Sequence, residues 1–273
     1  MADPNHTRDP SHMAGSRTGV TMRSAGVIAL AVLSLWVAGC GIAEEPSGTG
    51  SSDTAGSEAD STTTEPVDPA NSGSSEAGSP TTFEVEVWAD NWAAVYVDGE
   101  LVGEDSVPIT TERSFNAETY TFEATYPFTI AIEARDFKET DSGIEYIGEP
   151  NQQMGDGGLI AQVTDTSTGE VVATTGSDWS VLVIQQAPLN TECADDPDPD
   201  ATCEFESIDA PAGWADADLD TSDWSAATEW SASDVSPKDG YDEIDWADDA
   251  ALVWGPDLEV DNTILMRLTV QGP

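Results

Sequence analysis

After residue 81 the chain consists of short apolar runs separated by turn residues, and this pattern restricts the folds open to it. The run from Phe83 to Trp88 alternates apolar and acidic residues, as expected for a strand with one buried face. Asp98-Gly99 then separates two further apolar runs, which is the arrangement of a tight β-hairpin. The beginning of this region is therefore predicted to be a β-meander.

The same pattern continues to the end of the chain. Further strands are predicted at residues 93–97, 101–102, 120–124, 128–134, 159–163, 170–174, 179–184 and 264–270. Because 179–184 is almost continuously apolar, we expect it to be a central strand. The stretch 205–250 is acidic and contains four tryptophans, and we expect loops and short helical turns there. No long amphipathic helix is apparent, so the sequence predicts an all-β sandwich.

A different kind of segment lies near the N-terminus. Ala25 to Trp36 is an apolar run that follows two arginines, and it is shorter than the roughly 20 apolar residues that span a bilayer. Such a run is typical of a signal-peptide core. It ends in Val37-Ala38-Gly39-Cys40, which resembles the bacterial lipobox, in which the cysteine is lipidated before cleavage. We therefore expect residues 1–39 to be a lipoprotein signal peptide, unless Cys40 is incidental to an ordinary one.

Processing at Cys40 would change the inventory of side chains. Five basic and 51 acidic residues would remain, and both His6 and His12 would be removed. A net charge near −46 disfavours nucleic acids and anionic lipid surfaces as partners, and it is compatible with basic partners, cations and high salt. Ser-His and Cys-His nucleophilic pairs are excluded without histidine. We predict no catalytic residue and no cofactor.

Two further parts of the mature chain can be assigned from composition. Residues 40–81 comprise the lipidated cysteine and an acidic linker rich in Gly, Ser and Thr, which is expected to be disordered. Residues 82–273 are predicted to form one β-sandwich domain. Cys193 and Cys203 are the two remaining cysteines, and in an exported protein they are expected to form a disulfide.

One glycine-rich loop, residues 148–158, is the best candidate for ligand contact. Asn151, Gln152, Gln153 and Asp156 could hydrogen-bond to sugar hydroxyl groups, while the glycines would let a ligand approach the backbone. The alternative is that this segment is only a long turn between strands.

Two other features of the sequence bear on ligand binding. Trp88 and Trp92 stand near a strand end and are the best candidates for an exposed pair on which a sugar could stack, the alternative being that they are core residues like most tryptophans. The acidic loop 195–200 has the oxygen-rich composition that Ca²⁺ prefers, but it lacks the spacing of an EF-hand. We interpret that loop as solvated and predict no metal site.

Four segments, taken in order, resemble a known family. Residues 96–103 read Tyr-Val-Asp-Gly-Glu-Leu-Val-Gly, and residues 129–134, 158–163 and 214–224 follow with a core strand, a second core strand and a Trp-flanked acidic stretch. This order resembles the galactose-binding-like jelly-roll domains that accompany β-galactosidases and α-L-rhamnosidases. The resemblance implies a jelly roll and makes carbohydrate binding an expectation.

Together these observations predict a binding or accessory module, held by its lipid on the extracytoplasmic face of the cell membrane. Its partner would be a glycan or a surface protein. A structural or protein-interaction lipoprotein with no small ligand is the main alternative. A carboxylate-based glycoside hydrolase is a third interpretation, although 51 acids give no basis for choosing a catalytic pair.

Overall fold

The computed structural model describes residues 79–109 and 115–273. The predicted signal peptide, Cys40 and nearly all of the predicted linker lie outside the described residues. The strands, in chain order, are β1 (Thr81–Asp90), β2 (Trp92–Val97), β3 (Glu100–Glu104), β4 (Ala117–Ala124), β5 (Phe128–Arg135), β6 (Ile144–Glu145), β7 (Gln153–Met154), β8 (Gly158–Asp165), β9 (Glu170–Thr174), β10 (Ser180–Gln186), β11 (Glu206–Ser207), β12 (Ser225–Ala226), β13 (Thr228–Trp230), β14 (Leu252–Trp254) and β15 (Asp261–Val270).

Helical structure in this part of the chain is limited to single turns. They are α1 (Pro199–Thr202), α2 (Ala232–Val235) and the 3₁₀ turns Thr191–Asp195 and Tyr241–Glu243. Within residues 79–109 and 115–273, no helix has the length and apolar character needed to cross a membrane.

Two antiparallel sheets pack against each other and enclose the core. The first has the strand order β13-β14-β8-β1-β4, with β9 also paired to β8, and the second has the order β11-β10-β15-β5-β2-β3, with β12 also paired to β10. Strands β6 and β7 form a small separate hairpin. The predicted all-β sandwich is confirmed.

Strand β1 follows the predicted alternation and then departs from it. Phe83, Val85 and Val87 face the core, whereas the residues between them are more exposed. From Trp88 to Asp90 every residue is buried, because another part of the chain covers the outer face here. The Trp88 ring packs edge-on against Tyr241, with 5.6 Å between the ring centroids. The end of β1 is therefore enclosed on both sides.

The other end of β1 lies in a cluster of aromatic rings. Phe83 packs against Phe122, Phe128 and Tyr126, with centroid separations of 5.4, 4.9 and 5.4 Å. Offset and edge-on pairs at these distances add to the stabilisation given by burial. This cluster closes one end of the core.

The Asp98-Gly99 hairpin forms as predicted. Both residues have positive φ, 47° and 89°, as a turn of type I′ requires. The Asp98 carboxylate also accepts a hydrogen bond from the backbone N–H of Thr129, at 2.8 Å. The turn is thereby attached to β5.

Strand β10 is less central than its composition suggests. Its neighbours are the long strand β15 on one side and only the two-residue strands β11 and β12 on the other. Residues 182–184 are half-buried, so their apolar side chains do not all reach the core. The expectation of a central strand was wrong, and β5 and β15 occupy that position.

The acidic stretch 205–250 forms loops and single helical turns on the sandwich, as expected, but it also contributes the short strands β11, β12 and β13, which were not predicted. A buried arginine attaches part of it to the core sheet. The Arg267 guanidinium on β15 donates hydrogen bonds to the backbone carbonyls of Asp216 and Leu219. A charged side chain therefore holds this irregular segment in place.

Candidate functional site

A pocket of about 290 Å³ opens where β1 ends. Its walls come from three other places in the chain: the β6–β7 hairpin with the glycine-rich loop, the segment that precedes β4, and the turn after α2. The lining is mostly polar with two aromatic rings. It consists of Asp90, Asn91, Phe115, Glu145, Tyr146, Gln153, Asp156, Lys238 and Asp239.

Asp90 is the most enclosed carboxylate in this lining. Asp90 is 1 % exposed, because it pairs with Gly158 of β8 on one side and the segment around Asp239 covers the end of the strand. Burial raises the pKa of Asp90 from 3.8 to about 7. The neighbouring acids Asp156 and Glu145 push this pKa further up, while Lys238 lowers it.

A second buried acid, Asp136, lies directly after β5 and contributes to the same electrostatic field. Burial raises its pKa well above the ordinary value, and the charges of Asp90, Glu145 and Asp156 add to this rise. Asn262 donates a long side-chain hydrogen bond of 3.4 Å to its carboxylate. Gly155 packs so closely that any Cβ there would collide with the Asp136 carboxylate, so the glycine is needed for this contact.

Of the described residues that line the pocket, Lys238 is the one cation. Its ammonium nitrogen lies 3.5 Å from Asp90 Oδ2 and 4.5 Å from the centroid of the Phe115 ring. Partial burial lowers the pKa of Lys238, but the carboxylates of Asp90, Asp156 and Glu145 more than compensate and the net shift is upward. The lysine is therefore held protonated in the pocket.

The predicted exposed tryptophan pair is not present. Trp88 is 0 % and Trp92 is 9 % exposed, so neither offers a free face on which a sugar could stack. The Trp88 indole N–H instead donates to the carbonyls of Phe115 and Asp239, at 2.9 and 3.1 Å. Trp92 lies beneath the Arg135 guanidinium, 4.5 Å from its ring centroid. Segments distant in sequence cover both rings, and Trp88 supports the wall of the pocket.

The glycine-rich loop supplies two of its four predicted residues to the pocket. Gln153 and Asp156 line it, and the Gln153 amide donates a hydrogen bond of 3.0 Å to Glu145 across the β6–β7 hairpin. Asn151 is exposed and does not contribute to the lining.

Gln152 has a structural role instead. Its amide oxygen accepts from the N–H of Gly148 at 2.8 Å, and its amide nitrogen donates to the carbonyls of Ala194 and Asp196 at 2.7 and 2.8 Å. Both carbonyls belong to the neighbouring cysteine loop. Gln152 therefore connects the loop of the pocket to that segment.

The predicted disulfide between Cys193 and Cys203 is confirmed, with 5.3 Å between the two Cα atoms. It closes the loop that contains the carbonyls bound by Gln152. Among the described residues, no group of three or more His, Cys, Asp or Glu side chains is arranged to hold a metal ion.

The sequence did not predict Asp90, Glu145, Phe115 and Lys238 as site residues. A signal was present for two of them. Asp90-Asn91 interrupts the apolar pattern of a strand that is otherwise buried, and Lys238 is one of only two lysines in the whole chain. Glu145 and Phe115 have no such signal, because many acidic and aromatic residues occupy comparable positions.

No family model matches the chain, and neither a curated protein nor a solved structure does. The β-sandwich therefore rests on the strand pairing described above.

Proposed function

We propose that this protein is a binding module, anchored by lipid on the extracytoplasmic face of the membrane, that takes a small hydroxylated ligand such as a sugar. The observation that carries the proposal is the pocket at the end of β1. There, carboxylates and amides from distant parts of the chain face one small space beside the rings of Phe115 and Tyr146. Binding sites for small molecules typically combine a few fixed polar groups with aromatic walls.

The polar groups suit hydroxyl recognition. Sugar hydroxyls can donate to the carboxylates of Glu145 and Asp156 and accept from the amide of Gln153. These groups are already ordered by the protein itself, since Gln153 is hydrogen-bonded to Glu145 and Gln152 fixes the loop. A preformed site loses less conformational entropy when it binds a ligand. The resemblance to galactose-binding-like domains supports the same ligand class.

The test is binding of the purified full chain to a glycan array, followed by titration of each glycan that binds. Asp156→Ala and Gln153→Ala should each weaken binding by roughly tenfold, because each removes hydrogen bonds to the ligand. Glu123→Ala is the matched control, since Glu123 is an exposed acid on β4 that does not line the pocket. Equal affinities for all four proteins would place the ligand elsewhere.

Two other functions are outcomes of the same experiment. Binding to no glycan would favour a structural or protein-interaction lipoprotein without a small ligand. Cleavage of a bound glycan would favour a hydrolase, for which a buried carboxyl group such as Asp90, with a pKa of about 7, is the kind of group that donates a proton.

The membrane anchor has its own test. Cys40→Ser should abolish lipidation and leave either unprocessed precursor or a released soluble form, because stable anchoring requires buried acyl chains. Detergent partitioning and intact mass would measure this. A Cys40→Ser protein of mature size that still partitions into detergent would contradict the lipobox prediction.

A further inference from the structure

Several acidic side chains line the pocket at the end of β1. Among its described lining side chains, four are acidic, namely Asp90, Glu145, Asp156 and Asp239, and Lys238 is the single base. A neutral sugar needs hydrogen-bond partners of both kinds but no carboxylate as deeply buried as that of Asp90. The charge of the lining is therefore informative about the ligand.

The position of Lys238 shows which chemical group the pocket accommodates. Its ammonium lies between the Asp90 carboxylate, 3.5 Å away, and the face of the Phe115 ring, 4.5 Å from the centroid. A carboxylate on one side and an aromatic face on the other are the two partners that an ammonium group prefers. The protein thus places its own amine in this environment.

The two sides of this contact differ in how firmly they are held. The Lys238 side chain is 46 % exposed, whereas that of Asp90 is 2 % exposed. Asp90 Oδ2 accepts no hydrogen bond from any described residue, and the lysine nitrogen stands beyond an ordinary hydrogen-bond distance from it. A buried carboxylate oxygen thus faces the pocket with only a long ionic contact, made by a side chain that can move into solvent.

The aromatic wall is fixed in contrast to Lys238. The buried Trp88 indole holds the backbone of both Phe115 and Asp239 by hydrogen bonds. Displacement of the lysine would therefore leave the carboxylate and the ring where they are.

We infer that the ligand of this pocket is a sugar-sized molecule carrying a protonated amine, which takes the place of the Lys238 ammonium between Asp90 and Phe115. This inference rests on the proposed function and specifies its ligand class as an amino sugar with an unacetylated amine. The amine would donate to Asp90 Oδ2, and the hydroxyls would bind to Glu145, Gln153 and Asp156. A pocket of about 290 Å³ is at the small end of ligand sites, which favours a single sugar unit.

The experiment is calorimetric titration of the full chain with matched pairs: glucosamine against glucose, galactosamine against galactose, and N-acetylglucosamine as a sugar whose amine cannot be protonated. We expect at least one amino sugar to bind roughly tenfold more tightly than its neutral partner, since a partly desolvated ammonium gains from both the carboxylate and the ring. N-acetylglucosamine should not share this advantage.

Two variants examine the contact itself. Lys238→Met removes the internal competitor and should tighten amino-sugar binding several-fold, whereas Asp90→Asn should remove the preference for the amine. Lys138→Met is the control, because Lys138 pairs with Asp141 at 2.8 Å and does not line this pocket. Melting curves would show that each variant is folded before its affinity is compared.

The outcomes separate the two proposals. Equal affinity for amino and neutral sugars, or amino-sugar binding that Asp90→Asn leaves unchanged, would overturn the inference while sugar binding itself stands. Binding of neither the monosaccharides nor any arrayed glycan would overturn the proposed function, and this inference with it.

Discussion

At one end of strand β1, Phe83 packs among three other aromatic rings, whereas at the other end Asp90 is equally buried among carboxylates. The first environment gains free energy from removing apolar surface from water. The second opposes ionisation, as the raised pKa values of Asp90 and Asp136 indicate. Within a single strand, one end stabilises the fold and the other holds buried ionisable groups that stability alone would not require.

The largest effect is expected at the aromatic end. Phe83→Ala should lower the free energy of unfolding by about 3–5 kcal/mol, because it removes a large buried ring and leaves a cavity. Chemical denaturation would measure this. Leu101→Ala is the control, since this leucine is 53 % exposed and should change stability by less than about 0.5 kcal/mol. A similar loss in both variants would mean that Phe83 does not lie in a well-packed core.

The Cys193–Cys203 disulfide should contribute both to stability and to ligand binding at the polar end of β1. Replacing Cys193 and Cys203 together by serine should lower the free energy of unfolding by roughly 2–3 kcal/mol, as expected for a short closed loop. It should also weaken ligand binding, because the carbonyls that hold Gln152 belong to this loop. Gln152→Ala with the disulfide intact should reproduce the binding defect with a smaller loss of stability. If the double serine variant kept full ligand affinity, the cysteine loop would not be needed to support the pocket.

Asp90, at the polar end of β1, should make the stability of the protein depend on pH. The pKa of Asp90 is about 7 in the folded protein and 3.8 ordinarily, so between these values the folded state binds more protons than the unfolded state. Stability should therefore fall as the pH rises from about 4 to about 7, and Asp136 acts in the same direction. Because Asp90→Asn removes one of these groups, the melting temperature of this variant should fall less than that of the parent between pH 5 and 8.

A difference of roughly 2–4 °C corresponds to about 1 kcal/mol for a domain of this size and is measurable by calorimetry. Asp165→Asn is the control, because hydrogen bonds from Ser167 lower the pKa of this half-buried acid. If the melting temperature of Asp90→Asn fell with pH as steeply as that of the parent, Asp90 would not be the source of the pH dependence.

The smallest expected effect comes from the surface charge, and it should be the same whichever end of β1 is altered. With 53 acidic and eight basic residues in the chain, self-repulsion should be screened as NaCl rises from 0.01 to 1 M, where the Debye length falls from roughly 30 to 3 Å. The melting temperature should rise by a few degrees. Phe83→Ala and Asp90→Asn should show nearly the same salt slope as the parent, since buried groups are screened less than exposed ones. A flat or falling melting temperature would count against this.

Local patterns were sufficient for much of the fold. The alternation in β1 and the Asp98-Gly99 turn depend on neighbouring residues, and both were predicted correctly. The cysteine pair was predictable because only two cysteines remained. The misplacement of β10 has a different origin, because an apolar run does not show how many partner strands will cover it.

The site depended on tertiary structure. Asp90, Glu145, Asp156 and Lys238 come from separate segments, and no sequence spacing brings them together. The burial of Trp88 likewise depends on a segment that folds over the end of β1 from far along the chain. By itself the sequence determined the longer strands, the Asp98-Gly99 turn and the acidic charge, since these are properties of adjacent residues. Only the packing of the sheets decided which few of the many carboxylates are buried around one ammonium group, because burial and register are set by contacts between distant residues.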